Sequence, residues 1–194
     1  MAPAGEPAGG ALAGAAEAEL VEQARALSPD AWAEIYRRHV QQVYAYIYYR
    51  LGDPHTAEDL ASDVFVKAIA GIKGYSYRGT PLLAWLYRIA HNVTADHRKM
   101  AARHAQHQIG DAAYVEERRD ALHERDEREA MLDAIRRLTE DQQQVVILRF
   151  YQGMNHADVS RVIGKPEGAV KALQTRALRS LRRLLTEGQY RESA

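Results

Sequence analysis

The chain has 194 residues, 46% hydrophobic and 27% charged, with 26 basic side chains, 26 acidic side chains and no cysteine. This length allows one large or two small domains with a modest core. The lack of cysteine excludes disulfides, thiol chemistry and thiolate metal sites. A formal net charge of zero excludes a general attraction to nucleic acid or membrane. Since no apolar run approaches the ~18 residues of a membrane span, we expect a cytoplasmic protein without membrane insertion.

Residues 1–27 begin with the Ala-, Gly- and Pro-rich sequence MAPAGEPAGGALAGAA. No basic residue precedes Arg25 and there is no long aliphatic block, so the segment does not fit a signal peptide. Its composition predicts a disordered leader.

Residues 28–99 carry apolar residues at helical spacing, without strand alternation. A first helix is predicted to start near Ser28, and a second contains the apolar stripe from Val40 to Leu51. Asp53-Pro54 predicts the start of a third helix, as a cap residue followed by proline. Thr80-Pro81 predicts the start of a fourth, which runs to about Lys99.

Residues 100–128 are charged, mixed in sign and poor in large aliphatic side chains. This composition predicts a partly helical linker between two domains. Residues 129–187 return to helical periodicity in four short segments. The predicted fold class is therefore all-α, with two small helical domains, residues 28–99 and 129–187, joined by a flexible linker.

The charges are distributed unevenly along the chain although their sum is zero. Residues 51–66 carry four acids and no base, whereas residues 71–103 and 165–183 each carry six bases and one acid. A solvated face is the usual explanation of one such run. Two basic runs that coincide with helix-turn signals indicate binding surfaces.

The sequence NHADVSRVIGKPEGAVKALQTRALRSLRRLL has the layout of a helix-turn-helix, in which Gly164 ends the first helix. At 100° per residue, the second helix has one apolar face, formed by Val170, Leu173, Ala177, Leu181 and Leu184. Its opposite face carries Lys171, Ala172, Thr175, Arg176, Arg179 and Arg183. Such a helix lies in the major groove of DNA with its N-terminal side chains at base edges. We expect Lys171, Thr175 and Arg176 to reach bases, and Arg179 to meet phosphates.

The helix-turn-helix leaves alternatives open. An amphipathic surface helix could carry arginine for solubility alone. If the motif does bind DNA, it fits a repressor, a response-regulator output domain or a transcription initiation factor.

The stretch YSYRGTPLLAWLYRIAHN, residues 75–92, is rich in aromatic and basic side chains. The helical projection places Trp85 on the apolar face with Leu82, Leu86, Ile89, Ala90 and Val93. The outer face is formed by Ala84, Tyr87, Arg88, His91 and Ala95, with Asn92 at its edge. Together with Tyr75, Tyr77 and Arg78 of the preceding loop, this face predicts a surface that stacks unpaired bases and holds phosphates.

The third predicted helix has a different outer face. Asp59, Ser62, Asp63 and Val66 point away from its apolar stripe. Acidic side chains around an exposed valine would repel DNA, so this face is predicted to dock a protein, such as a basic partner helix.

Three segments, AEDLASDVFVKAI, PLLAWLYRIAHNVTADHRK and GKPEGAVKALQTRALRSLRR, together resemble the extracytoplasmic-function (group IV) sigma factors of bacterial RNA polymerase. The resemblance extends over about residues 30–99 and 129–186. It implies a non-enzymatic promoter-specificity subunit without a cofactor. The implied partners are core RNA polymerase, through the β′ clamp helices and the β subunit, together with duplex and single-stranded promoter DNA and an anti-sigma factor.

The resemblance also implies three sets of site residues. The set that binds core polymerase is Asp59, Leu60, Ser62, Asp63, Val64, Phe65 and Val66. The set that binds the −10 element is Tyr75, Tyr77, Arg78, Tyr87, Arg88, His91, Asn92 and Arg98. The set that binds the −35 element is Lys165, Lys171, Ala172, Thr175, Arg176 and Arg179.

Two other functions are compatible with parts of the sequence. The first is a stand-alone helix-turn-helix regulator that dimerises through its N-terminal helices. The second is a helical metalloenzyme or hydrolase that uses His91, His97, His104 and His107. These histidines lie in or beside a basic, linker-like stretch without paired carboxylates at inward positions, and no phosphate-binding glycine loop accompanies them. We therefore predict no catalytic residue and no metal site.

Overall fold

The computed structural model describes residues 9–77, 81–108 and 127–192, and in these ranges the chain is helical without a strand. The helices are α1 (Gly9–Arg25), α2 (Pro29–Leu51), α3 (Pro54–Gly71), α4 (Leu82–Gln108), α5 (Glu127–Arg136), α6 (Glu140–Val146), α7 (His156–Ile163) and α8 (Glu167–Glu192). A 3₁₀ turn, Ile72–Gly74, follows α3, and a π-helical turn, Ile147–Tyr151, follows α6. The predicted all-α fold class is confirmed for the described part of the chain.

The start of α1 corrects the expectation of a disordered leader. Helix α1 packs on α2 with Val21 and Ala24 fully buried. The indole Nε1 of Trp32 donates a hydrogen bond to the Ala24 carbonyl over 3.1 Å. Alanine has the highest helix propensity of all residues, and burial of this face stabilises a helix that its composition alone does not. Residues 1–8 lie outside the described residues.

The boundaries of α2 and α3 follow from local capping. The Ser28 hydroxyl accepts a hydrogen bond from the Ala31 N–H over 3.4 Å, and the Asp53 carboxylate accepts one from the Thr56 N–H over 2.7 Å. Gly52 ends α2 with a φ of 82°, which glycine adopts without strain. The first two predicted helices are therefore one helix, because no breaker lies between Pro29 and Gly52.

Helix α4 is longer than predicted. It continues from the expected end near Lys99 to Gln108, because alanine, arginine and glutamine in this stretch are good helix formers. The predicted linker therefore begins inside a helix, and its residues 109–126 lie outside the described residues.

Two helix bundles organise the described chain. The first bundle, α1–α4, has a core built by the apolar faces of α2, α3 and α4, with Val43, Val64 and Leu86 fully buried. The second bundle, α5–α8, buries Ile135, Ile147 and the apolar face of α8. The bundles contact each other, because α4 packs on α7 and α2 packs on α5. No helix in the described ranges is both long enough and apolar enough to cross a membrane.

Candidate nucleic-acid interface

The exposed face of α3 is acidic, as predicted. Asp59, Ser62 and Asp63 are exposed, and Val66 is 66% exposed. Leu60, Val64 and Phe65 point the other way and are buried in the core. The helical period turns these three side chains inward, and their assignment to the set that binds core polymerase stays a prediction.

Beside this acidic face an open groove of about 380 Å³ runs between α2 and α3. Its lining residues are Tyr36, Val40, Gln41, Tyr44, Glu58, Ala61 and Ser62. The ring of Tyr36, which is half exposed, meets the Phe65 ring edge-on with centroids 4.9 Å apart. The contribution of α2 to this groove was not predicted, although the i, i+4 spacing of Tyr36, Val40 and Tyr44 could have indicated it.

The aromatic side chains before α4 are partly withdrawn from the surface. Tyr75 is only 9% exposed and packs against Trp85, with ring centroids 4.8 Å apart. Burial raises the pKa of Tyr75 to about 12. Tyr77 is half-buried against the core. Arg78 lies outside the described residues.

Two predicted residues of α4, Arg88 and Asn92, are exposed side by side. Trp85 packs against the core, as expected. Ala84 and Tyr87 are buried, so their placement on the exposed face is wrong. The Tyr87 ring packs on Tyr46 with centroids 5.1 Å apart, and its hydroxyl donates a hydrogen bond to the Gln152 side-chain oxygen over 2.7 Å.

Arg50 lies at the centre of the contact between the two bundles, and its side chain is fully buried. Its Nη1 donates to the Tyr46 hydroxyl over 2.8 Å and to His91 Nδ1 over 2.7 Å. Its Nη2 donates to Glu140 Oε1 of the second bundle over 2.8 Å. The Nε of Arg50 is buried and meets no acceptor among the described residues.

His91 and Arg98 belong to the same contact. The pKa of His91 is lowered by burial and by the positive charge of Arg50, so its Nδ1 accepts from Arg50 as a neutral ring. Arg98 Nη2 donates to the Arg50 carbonyl and, over 3.1 Å, to the Gln143 side chain.

Three residues predicted to bind the −10 element, Tyr87, His91 and Arg98, therefore hold the second bundle in this structure. Their partners Glu140, Gln143 and Gln152 were not singled out from the sequence. The spacing of these residues along the chain gives no signal of the contact, because they lie at least 40 residues from the groups they meet.

The C-terminal helix-turn-helix has the predicted geometry. The Asn155 side chain caps α7 by accepting a hydrogen bond from the Asp158 N–H over 2.9 Å, and Gly164 ends that helix with a φ of 68°. Val170, Leu173 and the other predicted apolar residues of α8 are buried. The predicted outward residues Lys171, Ala172, Thr175, Arg176 and Arg179 are exposed.

Polar contacts hold α8 against the rest of the second bundle. Gln174 Oε1 accepts from Arg149 Nε over 3.3 Å and lies 2.9 Å from His156 Nε2. Lys165, in the turn, forms an ion pair with Asp141 over 3.1 Å. Because of this ion pair, Lys165 is less available to DNA than the exposed basic side chains of α8.

The part of the chain that the structure describes contains no group of three or more His, Asp or Glu side chains that could hold a metal ion. The histidines of the metalloenzyme hypothesis that are described, His91, His97 and His104, lie along one helix. The side chain of His107 lies outside the description.

Both bundles match families of known proteins. Residues 35–104 match the family model of sigma-70 region 2, and residues 134–183 match that of sigma-70 region 4. The ECF RNA polymerase sigma factor BldN of Streptomyces coelicolor is 45% identical over 173 residues. That alignment covers 87% of this chain and 66% of BldN.

Two solved structures share the fold at 23% sequence identity. One is the sigma factor RpoE in complex with the anti-sigma factor NepR from Bartonella quintana, with a TM-score of 0.63, covering 79% of this chain and 96% of that one. The other is CnrH in complex with the cytosolic domain of CnrY, with a TM-score of 0.65, covering 89% and 98%.

Proposed function

Because the chain belongs to the sigma-70 family, as an extracytoplasmic-function sigma factor, we propose that it directs core RNA polymerase to specific promoters without being an enzyme itself. The observation that carries this proposal is the helix-turn-helix, whose α8 buries its apolar face and exposes Lys171, Thr175 and Arg176. Residues 28–99 are proposed as the domain that binds core polymerase and the −10 element. Residues 129–187 are proposed as the domain that binds the −35 element. The protein is proposed to act in the bacterial cytoplasm, where RNA polymerase is located.

The acidic face of α3 is proposed as the polymerase-docking surface. Asp59 and Asp63 are exposed around Val66, an arrangement that favours a basic helix with an apolar centre. The partner surface is expected to be the β′ clamp helices, with further contacts to the β subunit. Leu60, Val64 and Phe65 support this face from within the core instead of touching the partner.

The −10 surface is proposed to centre on Arg88 and Asn92, the predicted residues of α4 that are exposed. Stacking of an unpaired base on an aromatic side chain contributes about 1–3 kcal/mol, and Tyr77 is the described aromatic residue nearest to solvent in the loop before α4. Such capture of unstacked bases would supply the free energy for strand opening without nucleotide hydrolysis.

Full use of the −10 residues requires the bundles to separate. Tyr87, His91 and Arg98 contact Gln152, Glu140 and Gln143 of the second bundle, so they become available to DNA only after the two bundles separate. A −10 and a −35 element also lie apart on a promoter, which favours an extended arrangement on DNA.

An anti-sigma factor is proposed as a further partner. The Bartonella quintana sigma factor that shares this fold is in complex with such a protein. A partner that covers the α3 face or stabilises the contact between the bundles would keep the factor from polymerase.

In vitro transcription with core polymerase, followed by mapping of start sites, tests the proposal. The Arg88→Ala/Asn92→Ala double variant should lose open complexes on promoters that depend on the −10 element while it keeps core binding. Wild-type protein that binds duplex DNA as a dimer and does not bind core polymerase would instead support the stand-alone regulator. Equal loss of core binding and open complexes in the double variant would contradict the assignment of these two residues.

A further inference from the structure

Helix α1 reaches across the first bundle to the start of α4. Oε1 of Glu17 accepts a hydrogen bond from the backbone N–H of Leu82 over 2.7 Å. Glu17 lies one turn before Val21, which is fully buried along with Ala24. The face of α1 that packs on α2 therefore also aims this carboxylate at α4.

The contact satisfies a group that the helix cannot satisfy itself. The first N–H groups of an α-helix have no carbonyl partner within it, and the Leu82 side chain is buried. A carboxylate at this end also interacts favourably with the partial positive charge of the helix N-terminus. Glu17 thus ties the first residue of α4 to α1, 65 positions earlier in the chain.

The same part of α1 lies against the aromatic residues before α4. A methyl group at Gly14 would lie 3.2 Å from the Tyr77 hydroxyl oxygen, so the absence of a side chain there permits this close approach. After burial, the negative charge of Glu17 is the next cause of the raised pKa of Tyr75. One turn of α1 therefore borders Tyr75, Tyr77 and Leu82.

We propose that α1 is a working part of the −10 surface and that Glu17 is a positioning residue for it. Glu17 fixes the start of α4, the helix that carries Arg88 and Asn92, and Gly14 of the same α1 turn lies against Tyr77. This inference rests on the proposed function of α4. It goes beyond the family likeness, because the match to region 2 begins at residue 35, after α1 has ended.

The experiment compares Glu17→Ala, Glu17→Gln and the control Glu19→Ala in the full chain bound to core polymerase. Glu19 lies on the exposed side of the same helix, where it accepts a hydrogen bond from the Gln23 side chain over 3.4 Å. Open-complex lifetime on one promoter, core affinity and affinity for −35 duplex DNA are measured for each variant.

Glu17→Ala should shorten the open-complex lifetime about 2- to 30-fold, the range expected for loss of a helix-capping group. Core affinity and −35 affinity should stay within about twofold of wild type. Glu17→Gln keeps an accepting oxygen and should restore most of the lifetime. Hydrogen exchange of the Leu82 amide should accelerate in Glu17→Ala and stay slow in Glu19→Ala.

A Glu17→Ala variant with the lifetime of Glu19→Ala would overturn the inference, and so would a Leu82 amide that exchanges freely in the wild type. Parallel losses of lifetime, core affinity and −35 affinity would show a structural role only. Wild-type protein that forms no open complexes would instead refute the proposed function, so the two failures are distinguishable.

Discussion

The contact between Arg50 and Glu140 is expected to set how readily the two bundles separate. Arg50 is fully buried, whereas the Glu140 side chain is 49% exposed. Breaking a fully buried ion pair costs about 3–5 kcal/mol, and an exposed pair contributes about 0–1 kcal/mol. Since Tyr46 and His91 remain as acceptors for Arg50, we expect Glu140→Ala to weaken the contact by roughly 1–3 kcal/mol. This corresponds to about a 5- to 150-fold shift toward the open arrangement.

Energy transfer between two dyes measures this shift directly. The chain has no cysteine, so single cysteines can be placed at exposed Ala33 of the first bundle and exposed Leu178 of the second. Glu140→Ala should increase the population with a long distance between the dyes. The matched control is Glu187→Ala, which removes an exposed ion pair with Arg183 at 3.9 Å. It should change the free-energy difference between the open and closed arrangements by less than about 0.5 kcal/mol.

A Glu140→Ala variant with the same distance distribution as the wild type and as Glu187→Ala would show that this ion pair does not hold the bundles together. A wild-type chain that is already open would show the same of the whole contact.

Three further predictions concern pH, packing and DNA sequence. When the two bundles are in contact, the pKa of His91 lies below its ordinary value, so the chain with separated bundles binds a proton first as pH falls through about 6.5. The contact between the bundles should therefore weaken from pH 7.5 to 5.5 in the dye assay. His91→Asn should reduce this pH dependence. Val64→Ala should lower the free energy of unfolding by roughly 1–3 kcal/mol in a urea titration, because Val64 is fully buried. Val66→Ala should leave unfolding unchanged and weaken core polymerase binding, and a pair of variants with the opposite pattern would contradict the assigned faces of α3. Arg176→Ala should relax selection at the −35 element by about 1–3 kcal/mol in competition binding if its contact is bidentate, while an unchanged sequence preference would exclude a base contact.

Much of the fold could be predicted because its signals are local. The capping residues Ser28 and Asp53 lie within three residues of the N–H groups they accept from. The period of 3.6 residues likewise separates the buried and exposed sides of α8, and that separation holds from Val170 to Leu184. A helix with one packed side can be assigned from its own sequence.

Helix α4 shows where this reasoning stops. It packs on the core of the first bundle with one side and meets the second bundle with another, so Tyr87 is buried although its position in the projection is an outer one. A single-helix projection contains no information about a second packing partner. The same limit applies to α1. Its composition predicts disorder, and the helix is stabilised because Val21 and Ala24 are buried against α2.

The sequence by itself determined the all-helical fold class, the caps of α2 and α3, the acidic face of α3, the basic face of α8 and the family to which these motifs point. These features depend on residues within a few positions of one another, whose geometry the backbone fixes. Only the tertiary structure decided that Arg50 joins the two bundles, that Tyr87, His91 and Arg98 face inward, and that Glu17 caps α4. Such contacts join residues 41 to 90 positions apart. They form because polar groups that become buried need hydrogen-bond partners, and the packing of the apolar helix faces decides which polar groups lie close to one another.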